Sequence, residues 1–214
     1  MKKLLFLSIF AIALFAGGGD VLRYQVLFDR FELQKSGAKV WDVSAYAGYD
    51  ADKLYLYSEG EDSSWQNELV LSHAISPFWD IQAGIEVDHE DKTKTFGEIT
   101  LSGLAPYWIE TRTKLLFGQG AVGVDFDFEY DTLFTQRLIL TSRIESRWMS
   151  KSIEDIGVGE GLNYIEAGFR LRYEIRREFA PYIGVSFTRN FGQTKRLAGE
   201  QSESSLLVGV RFWF

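Results

Sequence analysis

The sequence predicts an all-β fold: a transmembrane antiparallel up-and-down β-barrel of about twelve strands, preceded by a cleavable signal peptide. Three observations predict it. Apolar and polar residues alternate over runs of roughly 9 to 14 residues, longer than the five or six usual in soluble sheets and long enough for a tilted strand to cross a bilayer. The connections alternate between short turns and longer polar loops, as barrels with both termini in the periplasm require. The chain ends "SLLVGVRFWF", with Leu206, Val208, Val210, Phe212 and Phe214 on one face and an aromatic last.

Taken in order, "MKK" is a charged n-region and "LLFLSIFAIALFA" an apolar h-region, with small residues behind it for cleavage. Residues 1–18 read as a secretory signal peptide, and 19–214 as the outer-membrane barrel. Alternating runs follow at 20–35, 39–49, 53–60, 64–74, 79–90, 96–105, 109–118, 121–131, 138–149, 162–175, 180–190 and 205–214. Their phases assign two faces. In 79–90, Ile81, Ala83, Ile85 and Val87 oppose Asp80, Gln82, Gly84, Glu86 and Asp88. In 121–131, Val122, Val124, Phe126, Phe128 and Tyr130 oppose Gly123, Asp125, Asp127, Glu129 and Asp131. In 162–175, Ile165, Ala167, Phe169 and Leu171 oppose Glu166, Gly168, Arg170 and Arg172. The apolar face suits lipid and the charged face a wet lumen. Pro77, Pro106 and Pro181 are all expected in periplasmic turns, where no ladder hydrogen bond is lost. The rings after them ("SPFW", "APYW", "APYI") are expected to form a headgroup girdle.

Composition removes several classes. A mean hydropathy of −0.10 excludes a bundle of membrane helices. The absence of cysteine excludes a lipoprotein anchor, disulfides and thiolate ligands. A net charge of −7, more acidic still without Lys2 and Lys3, makes the chain a poor nucleic-acid binder and a better partner for cations.

Several segments resemble the copper resistance protein B family of outer-membrane proteins: "ISPFWDIQAG", "GLAPYWIE", "YDTLFTQRLILTSR", "FRLRYEIRREFAPYIGV" and the terminal "VGVRFWF". The resemblance takes in "WDVSAYAGYDADKLYLYSEGE" as well and covers roughly residues 24 to 214. It implies an outer-membrane barrel in a copper-tolerance system, working beside a periplasmic copper-handling protein; a monomer embedded in outer-membrane lipid is expected. Members commonly carry a Met- and His-rich segment ahead of the barrel. Here the alternation starts almost at the expected cleavage site, and Met149, His73 and His89 are the only such residues after it.

Thiolate and thioether suit Cu(I), whereas imidazole and carboxylate suit Cu(II). With no cysteine and one methionine after the expected cleavage site, a multi-ligand Cu(I) site within one chain is not expected; a Cu(II) or generic cation site would use lumen acids, with structural ion pairing the favoured role for the same acids. The metal candidates are Asp125, Asp127 and Glu129 on one strand and Glu86 and Asp88 on another, with His89 and Met149 towards the outer strand ends. Arg112, Lys114, Arg143, Arg147, Arg170, Arg172 and Arg211 share the inward phase and are expected to pair with these acids. A narrow passive channel without metal specificity is the alternative. Phospholipid hydrolysis would need a Ser–His pair oriented by a third group. His89 with Ser63 or Ser64 carries no such motif, so no enzyme is expected.

Overall fold

The computed structural model describes residues 21–197 and 202–214, so the expected signal peptide lies outside the described residues. Twelve strands fill most of the described residues. They are β1 (Arg23–Gln34), β2 (Lys39–Gly48), β3 (Asp52–Glu61), β4 (Ser64–Ser76), β5 (Trp79–His89) and β6 (Thr93–Ala105). There follow β7 (Ile109–Gly118), β8 (Ala121–Leu133), β9 (Leu138–Met149), β10 (Gly161–Tyr173), β11 (Phe179–Asn190) and β12 (Ser202–Trp213). Each pairs antiparallel with its sequence neighbours, and β1 pairs with β12, so the sheet closes on itself. Closure leaves no open sheet edge, which hydrocarbon demands. Among the described residues no helix is long and apolar enough to cross a membrane.

Alternation decides the faces as the sequence predicts. Phe126 and Phe128 are each 39% exposed on the outer surface, while Glu86 is fully buried inside. The pattern is inverted relative to a soluble protein: large apolar side chains cover the outside and charged ones fill the interior. Such an apolar exterior needs lipid against it.

The seam departs from plain alternation. The register of β1 shifts between Phe28 and Arg30, and consecutive Asp29 and Arg30 both border a lumen cleft. A bulge of this kind re-aims one side chain at a barrel's rim or closure.

Pro77 lies in a turn and Pro106 opens a short 3₁₀ turn at Pro106–Trp108, as expected. Pro181 does not lie in a turn: it is the third residue of β11, paired with Val210. The ladder to β10 has already ended at the Arg172–Tyr182 pair, so the proline sits at a strand start where its missing N–H is tolerated. Alternation then turns Tyr182 inward, out of the expected girdle. Its ring lies over Gly209, where a Cβ would meet it at 2.6 Å. Phe78, Tyr107 and Trp108 are exposed at that end.

The outer end is partly roofed. The β9–β10 loop folds Ile153 and Ile156 against Phe96, Leu116, Ala121 and Met149. Asp155 in that loop meets Lys92 at 2.6 Å and Lys94 at 2.7 Å. These two ammonium groups hold its carboxyl down at about 2. The next outer loop is tied to the first: the Gly159 N–H donates to Thr194 Oγ1 at 2.9 Å, and buried Asn163 donates its amide to the Gly159 carbonyl at 2.7 Å.

Candidate functional site

Two large cavities lie in the lumen among the described residues, at opposite ends of the strands. The inner one, about 590 Å³, reaches the periplasmic turn at Pro77 and Phe78. The outer one, about 360 Å³, reaches Glu90 and Ile156. Only Glu59 and Gln66 border both. Charged side chains crossing the interior stand between them, and β9 supplies the two longest reaches.

Arg143 spans from β9 to β2. It donates from Nε and Nη2 to Asp127 at 2.9 and 2.7 Å, and from Nη1 to Asp42 at 2.8 Å. Arg30, from β1, returns the link by donating to Glu145 at 3.1 Å and meeting Asp42 at 3.0 Å. Arg30, Asp42, Arg143 and Glu145 thus alternate in charge around a loop of contacts. Arg147, four residues beyond Arg143 along β9, crosses the other way. Its guanidinium reaches Asp88 at 2.9 Å, Glu86 at 3.0 Å and Asp125 at 2.7 Å, and donates to Gln66 Oε1 at 2.8 Å.

Beside Arg147, Lys114 Nζ lies 2.6 Å from Glu68 and 2.5 Å from Glu86, and Arg112 also pairs with Glu68. Nearer the seam, Arg170 Nε donates to Glu32 Oε1 at 2.5 Å and the Tyr182 hydroxyl donates to the same oxygen at 2.9 Å. Arg172 pairs with Asp131, and Arg211 lies 2.6 Å from Asp29. All seven inward cations expected from the sequence are therefore paired with acids. Buried charge is tolerable only on such terms.

The acids still prevail. Carboxylates outnumber lysines and arginines eight to four around the inner cavity and eight to two around the outer one. A wall with more acids than bases suits cations better than anions.

The sequence-predicted candidates divide. Glu86, Asp88 and Asp125 come together around one guanidinium, that of Arg147. Asp127 and Glu129, further along β8, border the inner cavity instead. His89 stacks on Trp65 with ring centroids 5.1 Å apart, and its Nδ1 lies 2.9 Å from Thr93 Oγ1. Met149 is only 1% exposed inside the apolar cluster, its sulfur pressed against Gly123. His73 lies 2.8 Å from Asp52 near the periplasmic end. Sequence reasoning passed over Glu68 and Glu98, although each holds the inward phase of its strand. Their depth relative to Glu86 depends on the pairing register, which alternation does not encode.

Comparison with known proteins places the chain. The family described as copper resistance protein B precursor (CopB) matches residues 22–214. Copper resistance protein B of Escherichia coli is 39% identical over 209 residues, covering 91% of this chain and 71% of that protein. The copper resistance protein B homolog of Pseudomonas syringae pv. tomato is 35% identical over 200 residues, covering 87% and 68%. Among solved structures, the NanC porin superposes with a TM-score of 0.53 at 15% identity, over 89% of this chain and 99% of that one. The KdgM porin gives 0.52 at 14%, with the same coverage. The likeness to these two is one of fold, a closed outer-membrane barrel. This chain belongs to the copper resistance protein B family.

Proposed function

We propose that this barrel binds Cu(II) in its lumen, or controls its passage, at the outer membrane of a copper-resistant cell. The carrying observation is the carboxylate excess around both lumen cavities, in a chain of this family. Such walls hold divalent cations near the ion-pair barrier and let the barrier decide whether they cross. Asp125, Asp127, Glu129, Glu86 and Asp88 are the acids proposed to meet the ion; His89 and Met149 lie at the margin of that role. The protein acts as a monomer in outer-membrane lipid, with a periplasmic copper-handling protein below it and no catalytic step.

The test is copper tolerance and cell-associated copper in a deletion strain. The strain is complemented with this chain or with its Asp125→Asn, Asp127→Asn, Glu129→Gln variant. We expect rescue by the first and weakened rescue by the second. Full rescue by the variant removes those three acids from the mechanism, and no rescue by the unmodified chain removes the copper role. A narrow passive channel is the second reading, favoured by cavities reaching both ends. An open current in planar bilayers that ignores added Cu(II) would select it.

A further inference from the structure

Glu98, on β6, is 3% exposed, yet neither of its carboxylate oxygens has a hydrogen-bond partner among the described residues. Burying a carboxylate unpaired is costly, so such a group points to a ligand that completes it. Its neighbours indicate which kind. One oxygen each from Glu68, Glu86 and Glu98 lie within 4.8 Å of one another. That spacing suits ligands held about 2.0 to 2.6 Å from one central ion. Two more buried oxygens lack partners, Gln82 Oε1 and Thr100 Oγ1. Gln82 and Thr100 are cross-strand partners on β5 and β6, one inward step from Glu98.

We propose that Glu68, Glu86 and Glu98 form a divalent-cation site, with Gln82 and Thr100 as neutral oxygen donors beside it. Lys114 is its resident counter-ion. The ammonium bridges Glu68 and Glu86, which also meet the guanidinium groups of Arg112 and Arg147, and Glu98 alone of the three acids is left without a hydrogen bond. A divalent ion can satisfy all three. On exchange Lys114 turns to Asp125, already 3.6 Å from its Nζ. Access is from the periplasmic side, since Glu68 borders the inner cavity. Oxygen donors alone exclude Cu(I), and among first-row divalent ions the affinity order places Cu(II) above Mn(II). The site deepens the copper reading and rests on it only for the identity of the ion.

The experiment uses the full chain folded in detergent micelles, stripped with chelator and titrated separately with Cu(II) and Mn(II). Retained metal is measured after dialysis, together with the Mn(II) electron-spin signal. The expected result is one ion per chain lost by Glu98→Gln, with affinity falling about tenfold or more, because ligand charge count sets affinity in such sites. Glu98→Gln keeps the side chain's size and removes an unpaired charge, so its urea unfolding midpoint is expected to hold or rise. Lys114→Met frees the focus and is expected to tighten Mn(II) binding. Retention of neither ion by the unmodified chain overturns the site, as does equal retention by Glu98→Gln. Both ions bound at Glu98 by a chain that fails to restore copper tolerance would keep the site and end the copper reading.

Discussion

At the scale of single residues, the lumen is held by cations that each serve several acids. Arg147 meets Glu86, Asp88 and Asp125 at once, so Arg147→Ala strands three carboxylates in the interior. Removing one partner of a buried pair costs about 3–5 kcal/mol, and the loss is expected as a lowered urea midpoint in lipid vesicles. A midpoint within error of the unmodified chain would mean that water already screens those acids. Tyr182 is a milder case. Tyr182→Phe removes one donor to Glu32, which keeps Arg170, so about 1 kcal/mol is expected in the same measurement. Neither role could be read from residue type. Tyr182 looks like a girdle ring in sequence and becomes a lumen donor because its strand starts two residues before Pro181.

At the scale of elements, the strands carry the apolar exterior and the β9–β10 loop carries its own anchor. Phe126 lies near the middle of β8 on the outer face. Phe126→Arg is therefore expected to cost about 2–4 kcal/mol in bilayers, as a charge near the midplane does. The same change should be far milder in detergent, where the charge reaches water. The β9–β10 loop is anchored by apolar packing and by Asp155 between two lysines. The Asp155 carboxyl stands at about 2 when folded, against about 3.9 for a free aspartate. Its pairing is thus complete above pH 4 and lost as pH falls towards 2. Limited proteolysis within residues 150–160 should accelerate over that window, using an acid-active protease. Asp155→Asn should remove the pH dependence. Cleavage equally slow at pH 2 and pH 6 would show that Ile153 and Ile156 hold the loop alone.

At the scale of the whole molecule, the two bridges from β9 divide the lumen into an inner and an outer room. Small conductance is expected for the unmodified chain in planar bilayers, rising clearly in an Arg143→Gln, Arg147→Gln double variant that releases both crossings. Equal currents would place the barrier elsewhere, most naturally at the tethered outer loops. What the sequence determined by itself is the barrel. Strand length, phase and turn chemistry are local, so the twelve strands and the lipid or lumen facing of Phe126, Asp125 and Arg170 were legible before any pairing was known. Family membership was legible too, in contiguous segments. Only the tertiary structure decided which charges meet. Glu98 and Glu86 sit on strands paired in a fixed register, Arg143 meets Asp42 from the far side of the barrel, and a bulge turns Arg30 inward. Those contacts depend on closure and on the stagger of one strand against the next. Alternation along a single strand carries no record of either.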